Sequence, residues 1–368
     1  MRLELVDPYA PRVERIWRSL PCRSYFLSWG WMENWLACLP PQHAPPLGVF
    51  VERDHPVAAG FLARKLALRR GVFASRGIHL NTTGVPRFDE LWIEYNGLAG
   101  ADLSLDQLVD ALPSRGWDEL VIPGAPEDAL GGIVAGYRDG FHVVVERHVP
   151  AYFVDLAKVR AGGFLPLLSS QTRSQIRRAQ RIAGPLEVEI AGDLGRAIDI
   201  YDELCALHAA QWRAKGLPGA FADPWFDRFH RRLITTRFAA GEIQLVRVRT
   251  AGTTLGCLYN FIWEGRVLQY QTGLRTMDDA RAKPGFVCHT AAIEHSAAAG
   301  LALYDMLAGE MRYKKSLSTG ATWLSWCRIR RDRLRFALED RLVALVRARR
   351  ERSSVAQPLA DAQEPSEG

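Results

Sequence analysis

Two short segments in the carboxyl-terminal half carry the side chains best suited to group transfer. The first lies where a loop meets a predicted helix and contains Arg281, Lys283, Pro284, Gly285 and Phe286. Unpaired N–H groups at a helix N-terminus bind phosphate, Gly285 would allow close approach, and Arg281 and Lys283 would add positive charge. The pattern predicts a pyrophosphate site, although a proline-started helix that merely ends a loop has the same sequence.

The second segment follows a predicted strand and contains Glu310, Tyr313 and Lys314. Catalytic side chains often gather at strand ends in α/β folds. Glu310 could take a proton from an attacking amine, and Tyr313 could protonate a thiolate leaving group. The alternative is an ordinary helix start, where a glutamate favours the helix dipole and basic neighbours are solvated.

A third group of residues could form an acceptor pocket. His208 and Trp212 lie at the end of a predicted helix, just before the loop at residues 217–221. A histidine on an apolar helix face is more often part of the core. Four arginines could likewise bind an anionic substrate or form only a solvated helix face: Arg173, Arg177, Arg178 and Arg181.

The elements that position these residues are clearest after residue 190. Asp193 can cap one helix and Pro224 can open a second. Strand-like runs follow at 243–249, 254–263 and 266–272, separated by Ala251-Gly252 and Glu264-Gly265, which is typical of tight antiparallel hairpins. A helix from Pro284 to about residue 300 and a buried strand at 301–307 complete the unit.

The amino-terminal half repeats this order less clearly. Strands are predicted at 47–51, 57–68 and 91–95, a helix at 105–112, and a strand at 119–124. We therefore predict an architectural duplication. The expected domains are an amino-terminal unit at 1–156, a second unit at 157–327, a basic helix at 328–352, and a disordered tail at 353–368.

Charge and cysteine content limit the function. The net charge of +6 is concentrated in residues 328–352, so the body is only weakly basic and a dedicated nucleic-acid binder is not expected. The six cysteines have no short-spaced pair, and H-E-x-x-H is missing, so no metal is expected. These features predict a cytoplasmic protein. The basic helix indicates either a packed helix with a solvated face or contact with a membrane or a synthase complex.

The order of several loose motifs resembles the GNAT-like acetyltransferases of the CelD/BcsL type, which are linked to bacterial cellulose biosynthesis. The motifs are Tyr25-Phe26-Leu27-Ser28, Thr172-Arg173-Ser174-Gln175, Leu207-His208, Phe221-Ala222-Asp223-Pro224, Tyr270-Gln271-Thr272-Gly273, Lys283-Pro284-Gly285 and Tyr313-Lys314. The resemblance implies an α/β (α+β) chain of tandem GNAT-like (acyl-CoA N-acyltransferase) domains with mixed, largely antiparallel central sheets. The family is similar in turn to the tandem-GNAT transferases of the FemABX type.

The resemblance further implies acetyl-CoA or another acyl-CoA as donor and an amine or hydroxyl of a polysaccharide precursor or related metabolite as acceptor. The expected donor site comprises Thr272, Gly273, Leu274, Arg281, Lys283, Gly285 and Phe286, and the expected acceptor site His208, Trp212, Tyr270 and Lys314. Glu310 and Tyr313 are the expected catalytic residues. Two alternatives remain: an aminoacyl-tRNA-dependent transferase that binds tRNA, and a catalytically silent scaffold of a synthase complex.

Overall fold

A computed structural model describes residues 1–69, 71–91, 93–133, 135–138 and 140–355. The strands of the amino-terminal half are β1 (Arg2–Val6), β2 (Leu47–Glu52), β3 (His55–Arg69), β4 (Phe73–Leu80), β5 (Ala99–Gly100), β6 (Glu119–Pro126), β7 (Gly136–Arg138) and β8 (Phe141–Asp155). Its helices are α1 (Arg12–Arg18), α2 (Trp29–Cys38), α3 (Pro86–Asp89) and α4 (Leu105–Ala111).

The carboxyl-terminal half begins with helices. These and the later helices are α5 (Leu156–Gly162), α6 (Ser170–Ala183), α7 (Leu194–Arg213), α8 (Pro224–Arg237), α9 (Pro284–Ala298), α10 (Arg312–Leu317) and α11 (Leu334–Val355). The strands are β9 (Glu187–Ile190), β10 (Ile243–Thr250), β11 (Thr253–Trp263), β12 (Arg266–Leu274), β13 (Leu303–Ala308) and β14 (Gly320–Arg331).

The strands form one continuous sheet in the order β1-β2-β3-β4-β6-β14-β8-β13-β12-β11-β10-β9. Among the described residues, the parallel neighbours are β4 with β6 and β12 with β13, and the other neighbouring pairs are antiparallel. The predicted mixed, largely antiparallel sheet is confirmed. Each parallel pair is joined by a helix, α4 in one half and α9 in the other, so the predicted duplication is visible in the structure.

The predicted start of the basic helix at residue 328 is wrong. Residues 328–331 belong to β14, which lies between β6 and β8 and so completes the sheet of the amino-terminal half. Two of the arginines that suggested a solvated helix are paired within the fold: Arg328 lies 3.2 Å from Glu119 and Arg330 lies 3.0 Å from Asp340. The helix begins at Leu334 and continues to Val355, so residues 353–355 are helical, and the rest of the predicted disordered tail lies outside the described residues.

The predicted strand at residues 91–95 is also not formed. The described part of this segment is a turn followed by extended loop, and β4 supplies the strand in its place. Polar residues interrupt the alternation of apolar residues in β4, so the sequence did not predict this strand. In the structure, Ser75 and Arg76 donate hydrogen bonds to Glu119 of β6 and to Asp118, the residue before it.

Aromatic side chains join the two halves into one core. Tyr25 stacks on Phe261 with ring centroids 4.4 Å apart, and Trp31 meets Phe229 edge-on at 5.0 Å. The Trp225 indole also donates a hydrogen bond of 2.9 Å to the Cys38 carbonyl. Burial of large aromatic side chains strongly stabilises such an interface. The seam between the halves is therefore a packed core, and cavities that open along it have fixed walls.

Candidate active site

The candidate active site opens where β12 and β13 separate. These parallel strands pair only over Arg266–Leu268 and Leu303–Asp305, and beyond that point they diverge. Tyr270 is an extra residue in β12 relative to β11, and this bulge turns the end of the strand. The divergence leaves a notch through the sheet, with Thr272 and Leu274 on one side and the segment after β13 on the other.

A cavity of about 480 Å³ occupies the notch on the side of α9. It is lined by α6, β12, α9 and α10, through Gln171, Thr172, Gln175, Thr272, Leu274, Lys283, Gly285, Phe286, His289, Arg312, Tyr313 and Ser316. Five residues of the predicted donor site line it: Thr272, Leu274, Lys283, Gly285 and Phe286. A narrow cavity between a strand end and a helix start can hold an extended ligand with a charged group at one end.

The N-terminus of α9 faces this cavity without a side-chain cap. Its cap residue Lys283 has a left-handed backbone, with φ of 38°, and its side chain makes no capping hydrogen bond. Gly285 is half-buried, and an added Cβ would lie 3.2 Å from Leu274. Pro284 has no N–H, and Phe286 N–H donates to the Lys283 carbonyl at 2.9 Å, so Gly285 N–H and the helix dipole give this end of the cavity the chemistry of an anion site.

The residues around the start of α9 differ in whether they reach the cavity. The Lys283 ammonium donates a 2.7 Å hydrogen bond to Gln175 of α6 and so stays at the cavity wall. Arg281 is exposed and bound to Asp279 at 2.9 Å, and it does not line the cavity. Gly273 also lies outside the cavity lining, because it packs on the α7 backbone, where an added Cβ would come within 2.3 Å of the Leu204 carbonyl oxygen.

A second cavity of about 490 Å³ opens on the other side of the notch, along the seam between the halves. It is lined by Glu94, Arg147, His208, Gln211, Trp212, Lys215, Gln269, Tyr270, Gln271, Thr272, Leu307, Ala308, Met311, Tyr313, Lys314 and Trp326. His208, Trp212, Tyr270 and Lys314, the four residues predicted for the acceptor, all line it. Thr272 and Tyr313 line both cavities, so the two cavities meet at these residues.

Glu94, from the amino-terminal half, is the carboxylate that faces this second cavity. Its side chain is buried, and Oε2 accepts a 2.7 Å hydrogen bond from the Ala308 N–H at the end of β13. Burial raises the pKa of Glu94 to about 7, although the Ala308 hydrogen bond and the nearby Lys314 charge oppose the shift. A carboxylate with a pKa near neutrality is suited to accept and release a proton.

The loop that carries Glu94 is fixed by buried amides. The Asn81 side chain accepts a hydrogen bond from Phe61 N–H and donates to Asn96 and the Gly97 carbonyl, at 2.7–2.9 Å. Gly124 of β6 has φ of 64°, and an added Cβ would lie 2.6 Å from the Ile93 carbonyl oxygen. The loop therefore lies directly on β6 and has little freedom to move Glu94.

Lys314 and Asp305 are two further buried charges behind Glu94. The Lys314 ammonium donates to the carbonyls of Leu307 and Ala308 at 3.2 and 2.8 Å, and burial lowers its pKa. Asp305 accepts a 2.5 Å hydrogen bond from the Tyr95 hydroxyl, and burial raises its pKa. Because Lys314 holds the backbone to which Glu94 is bonded, it positions the carboxylate.

Tyr313 stands at the junction of the two cavities. Its ring stacks on His289 with centroids 5.3 Å apart, and burial raises the pKa of Tyr313 to about 12. Burial lowers the pKa of His289 to about 3, so this imidazole is neutral at pH 7 and does not compete as an acid. Tyr313 therefore remains protonated at pH 7 and can donate a hydrogen bond, or its proton, to an anion that develops beside it.

Glu310, the predicted base, lies elsewhere. Its side chain is exposed, and it lines neither cavity. Glu94 was not among the predicted site residues. It meets Ala308, which is more than two hundred positions away in the chain. The only local signal was a charged residue inside an apolar run, which resembled the polar face of a strand.

The described residues contain no group of three or more His, Cys, Asp or Glu side chains arranged to hold a metal ion. Within the same part of the chain, no helix has the length and apolar character to cross a membrane.

Comparisons with known proteins agree with this architecture. A family described as acetyltransferase (GNAT) domain matches residues 169–315. The crystal structure of FemX is similar with a TM-score of 0.51 at 10% identity, over 89% of this chain and 97% of FemX. A tandem GNAT protein from the clavulanic acid biosynthesis pathway is similar with a TM-score of 0.42 at 14% identity, over 89% of this chain and 98% of that one.

The C-terminal domain of a putative lysylphosphatidylglycerol synthetase from Agrobacterium fabrum is similar with a TM-score of 0.47 at 11% identity, over 82% and 86% of the two chains. No curated protein matches the sequence. The identities are so low that the structural likeness establishes the fold alone. Residues 169–315 therefore match a GNAT acetyltransferase domain, and the chain as a whole shares the fold of FemX.

Proposed function

We propose that this protein is an acyltransferase that moves an acyl group from acyl-CoA to an amine or hydroxyl of a saccharide precursor. One observation carries the proposal: two cavities meet at Thr272 and Tyr313, one ending at an uncapped helix start and the other containing a buried carboxylate. The first has the chemistry to hold a pyrophosphate-bearing thioester. The second has room for an acceptor and a base for its proton.

The arrangement supports direct transfer. Glu94 accepts the proton of the acceptor nucleophile as that atom attacks the thioester carbonyl, and the new C–N or C–O bond forms. The C–S bond then breaks, and Tyr313 gives its proton to the departing thiolate. Leu274 N–H, which now makes only a 3.4 Å contact to Gln211, is available to stabilise the developing oxyanion. Both residues then recover their protonation states by exchange with water.

The walls of the acceptor cavity support a saccharide or sugar-nucleotide acceptor. Trp212 and Trp326 line the cavity with Lys215 and Arg147 over their rings, at 5.1 and 4.7 Å from the ring centres. Three glutamines offer both donors and acceptors: Gln211, Gln269 and Gln271. Arg147 and Lys215 add cationic groups that favour an anionic acceptor. This chemistry agrees with the sequence resemblance to the CelD/BcsL proteins.

A screen for thiol release tests this function. Purified protein is incubated with acetyl-CoA and a panel of amino sugars, sugar phosphates and sugar nucleotides, and free CoA is measured. We expect at least one anionic sugar to stimulate release, with Tyr313→Phe strongly impaired. Failure of the wild-type chain to bind acetyl-CoA, or equal stabilisation of wild type and Gly285→Trp by acetyl-CoA, would overturn the proposal.

A second candidate is an aminoacyl-tRNA-dependent transferase. Arg177, Arg178 and Arg181 are exposed on α6, whose first turns line the donor cavity, so a polyanion bound there would reach the notch. This alternative predicts salt-sensitive tRNA binding that weakens in Arg177→Gln/Arg178→Gln, and no response to acetyl-CoA. Titration of both ligands against the same protein separates the two functions.

A further inference from the structure

The helix α11 presents a row of leucines to solvent. Leu334, Leu338, Leu342 and Leu345 are 86%, 54%, 52% and 60% exposed. Their spacing of four, four and three residues places them on one face of the helix. Scattered exposed leucines are ordinary, but a continuous exposed row on one helix indicates a contact surface.

The opposite face of α11 holds the helix to the protein. Phe336 is buried among the guanidinium groups of Arg69, Arg330 and Arg335, whose Cζ atoms lie 5.8, 5.6 and 5.3 Å from its ring centre. Glu339 accepts a 2.8 Å hydrogen bond from Arg69, and Asp340 pairs with Arg330. The orientation of the first turns of α11 is therefore fixed, and the leucine row must face outward.

Positive charge flanks the leucine row. Helical spacing places Arg335, which pairs with Asp118, and Arg341 on its two sides. At the head of the helix, Arg331 and Arg333 line a shallow cavity of about 380 Å³, with Tyr137 76% exposed at its rim. This combination of leucines, flanking arginines and an aromatic residue is typical of interfacial helices.

The cavity at the head of α11 contains arginine N–H groups that do not donate hydrogen bonds to other described residues. The Nε atoms of Arg330 and Arg331 are buried without a hydrogen-bond partner among the described residues. Arg331 donates to the carbonyls of Ser114 and Pro113 and lies over the Trp117 ring at 4.2 Å, and burial together with Arg333 lowers its pKa. Of the carboxylates that face the cavity, Asp340 is paired with Arg330 and Asp332 is exposed; His142 also lines it and contacts Arg330.

We propose that the leucine row of α11 and the arginine-lined cavity at its head dock this protein on an anionic phospholipid surface. The leucines enter the boundary between headgroups and acyl chains, and the arginines bind lipid phosphates. A second copy of the chain is the poorer occupant, because a two-fold contact along this face would bring two arginine-rich helices together. This docking does not depend on the acyltransferase function, since it involves neither cavity of the candidate active site.

Vesicle sedimentation with the full chain tests this docking. We expect binding to vesicles of phosphatidylcholine mixed with phosphatidylglycerol, roughly tenfold weaker binding to phosphatidylcholine alone, and loss of binding as salt is raised. The double variant Leu338→Gln/Leu342→Gln should bind the mixed vesicles at least about tenfold more weakly, because two exposed apolar side chains are removed. Arg333→Gln should reduce the preference for the anionic lipid.

Controls distinguish docking from general stickiness or misfolding. Ile182→Gln removes an exposed apolar side chain of α6, 42% exposed, and should bind vesicles like the wild type. Unfolding midpoints of all variants should match, because the altered side chains are exposed. The proposal is overturned if the double variant binds vesicles as well as the wild type. It is also overturned if the wild type ignores vesicles and forms a dimer that the double variant cannot form.

Discussion

The two halves of this protein contain the same unit of parallel strands joined by a helix, and they use it differently. In the carboxyl-terminal half, α9 begins without a side-chain cap and faces an open cavity. In the amino-terminal half, α4 begins with a capping box, in which Ser104 and Gln107 satisfy each other's backbone N–H groups. A capped helix start has fewer free donors for a phosphate, so the amino-terminal half has lost the feature that its partner would use for binding.

The ends of the parallel strands also differ between the halves, since one pair leaves an open space and the other does not. Beyond the paired residues of β12 and β13 the strands diverge around a notch. Beyond β4 and β6, the equivalent space is occupied by Asn81, Asn96 and the loop that they hold. That loop carries Glu94, whose side chain lines the second cavity along the seam between the halves. In the proposed function, the amino-terminal half therefore positions the base, and the space that forms a notch in the other half is filled.

The largest expected effect comes from removing that base. Glu94→Gln keeps the size and the acceptor for Ala308 N–H but cannot take a proton, so kcat for thiol release should fall by about 10²–10⁴-fold while acetyl-CoA binding is unchanged. Glu310→Gln is the matched control and should retain nearly full kcat. Equal losses in the two variants would refute the assignment of the base to the amino-terminal half.

Loosening the loop that holds Glu94 should have the next largest effect. Asn81→Ala leaves Phe61 N–H and the Gly97 carbonyl without a buried partner, which should lower the free energy of unfolding by about 1–3 kcal/mol. Since the loop then moves, kcat should fall more than the affinity for acetyl-CoA. Chemical denaturation and steady-state kinetics measure the two effects. A variant that is less stable but has full kcat would show that the loop does not position Glu94.

The pH dependence of stability tests the buried state of Glu94. In the folded chain the Glu94 carboxyl has a pKa of about 7, whereas in the unfolded chain it has the ordinary pKa of 4.5 and loses its proton at lower pH. The stabilising contribution of Glu94 is therefore present at low pH and is lost as pH rises through about 7. Relative to Glu94→Gln, wild-type stability should decline by about 1–3 kcal/mol between roughly pH 5 and pH 8. If the stability difference between wild type and Glu94→Gln does not change with pH, the Glu94 side chain is solvated and not buried.

The smallest effect should come from the capping box. Ser104→Ala should lower the free energy of unfolding by about 1 kcal/mol and leave acetyl-CoA affinity unchanged, because α4 serves packing and not binding. Urea unfolding and ligand titration of the same sample check both statements. A loss of acetyl-CoA affinity in this variant would contradict the division of roles between the halves.

Local sequence patterns predicted most of the carboxyl-terminal half. Its helices α6, α7 and α8 begin with side-chain caps such as Asp193. Its hairpins have glycine as the second turn residue, and both features depend on neighbours in the chain. The pairing of β14 with β6 and the contact of Glu94 with Ala308 depend on residues about two hundred positions apart. No local pattern records such contacts, so Glu94 was not among the predicted site residues, and the strand at the end of the second domain was not predicted.

In the proposed function, the carboxyl-terminal half binds acyl-CoA and the amino-terminal half does not. Isothermal titration with acetyl-CoA measures this directly as a stoichiometry. We predict one acetyl-CoA per wild-type chain and no detectable binding to Gly285→Trp, whose indole would fill the cavity beside Leu274, with the fold of the variant checked by circular dichroism. Two sites per chain, or equal binding by wild type and a folded Gly285→Trp, would contradict the claim.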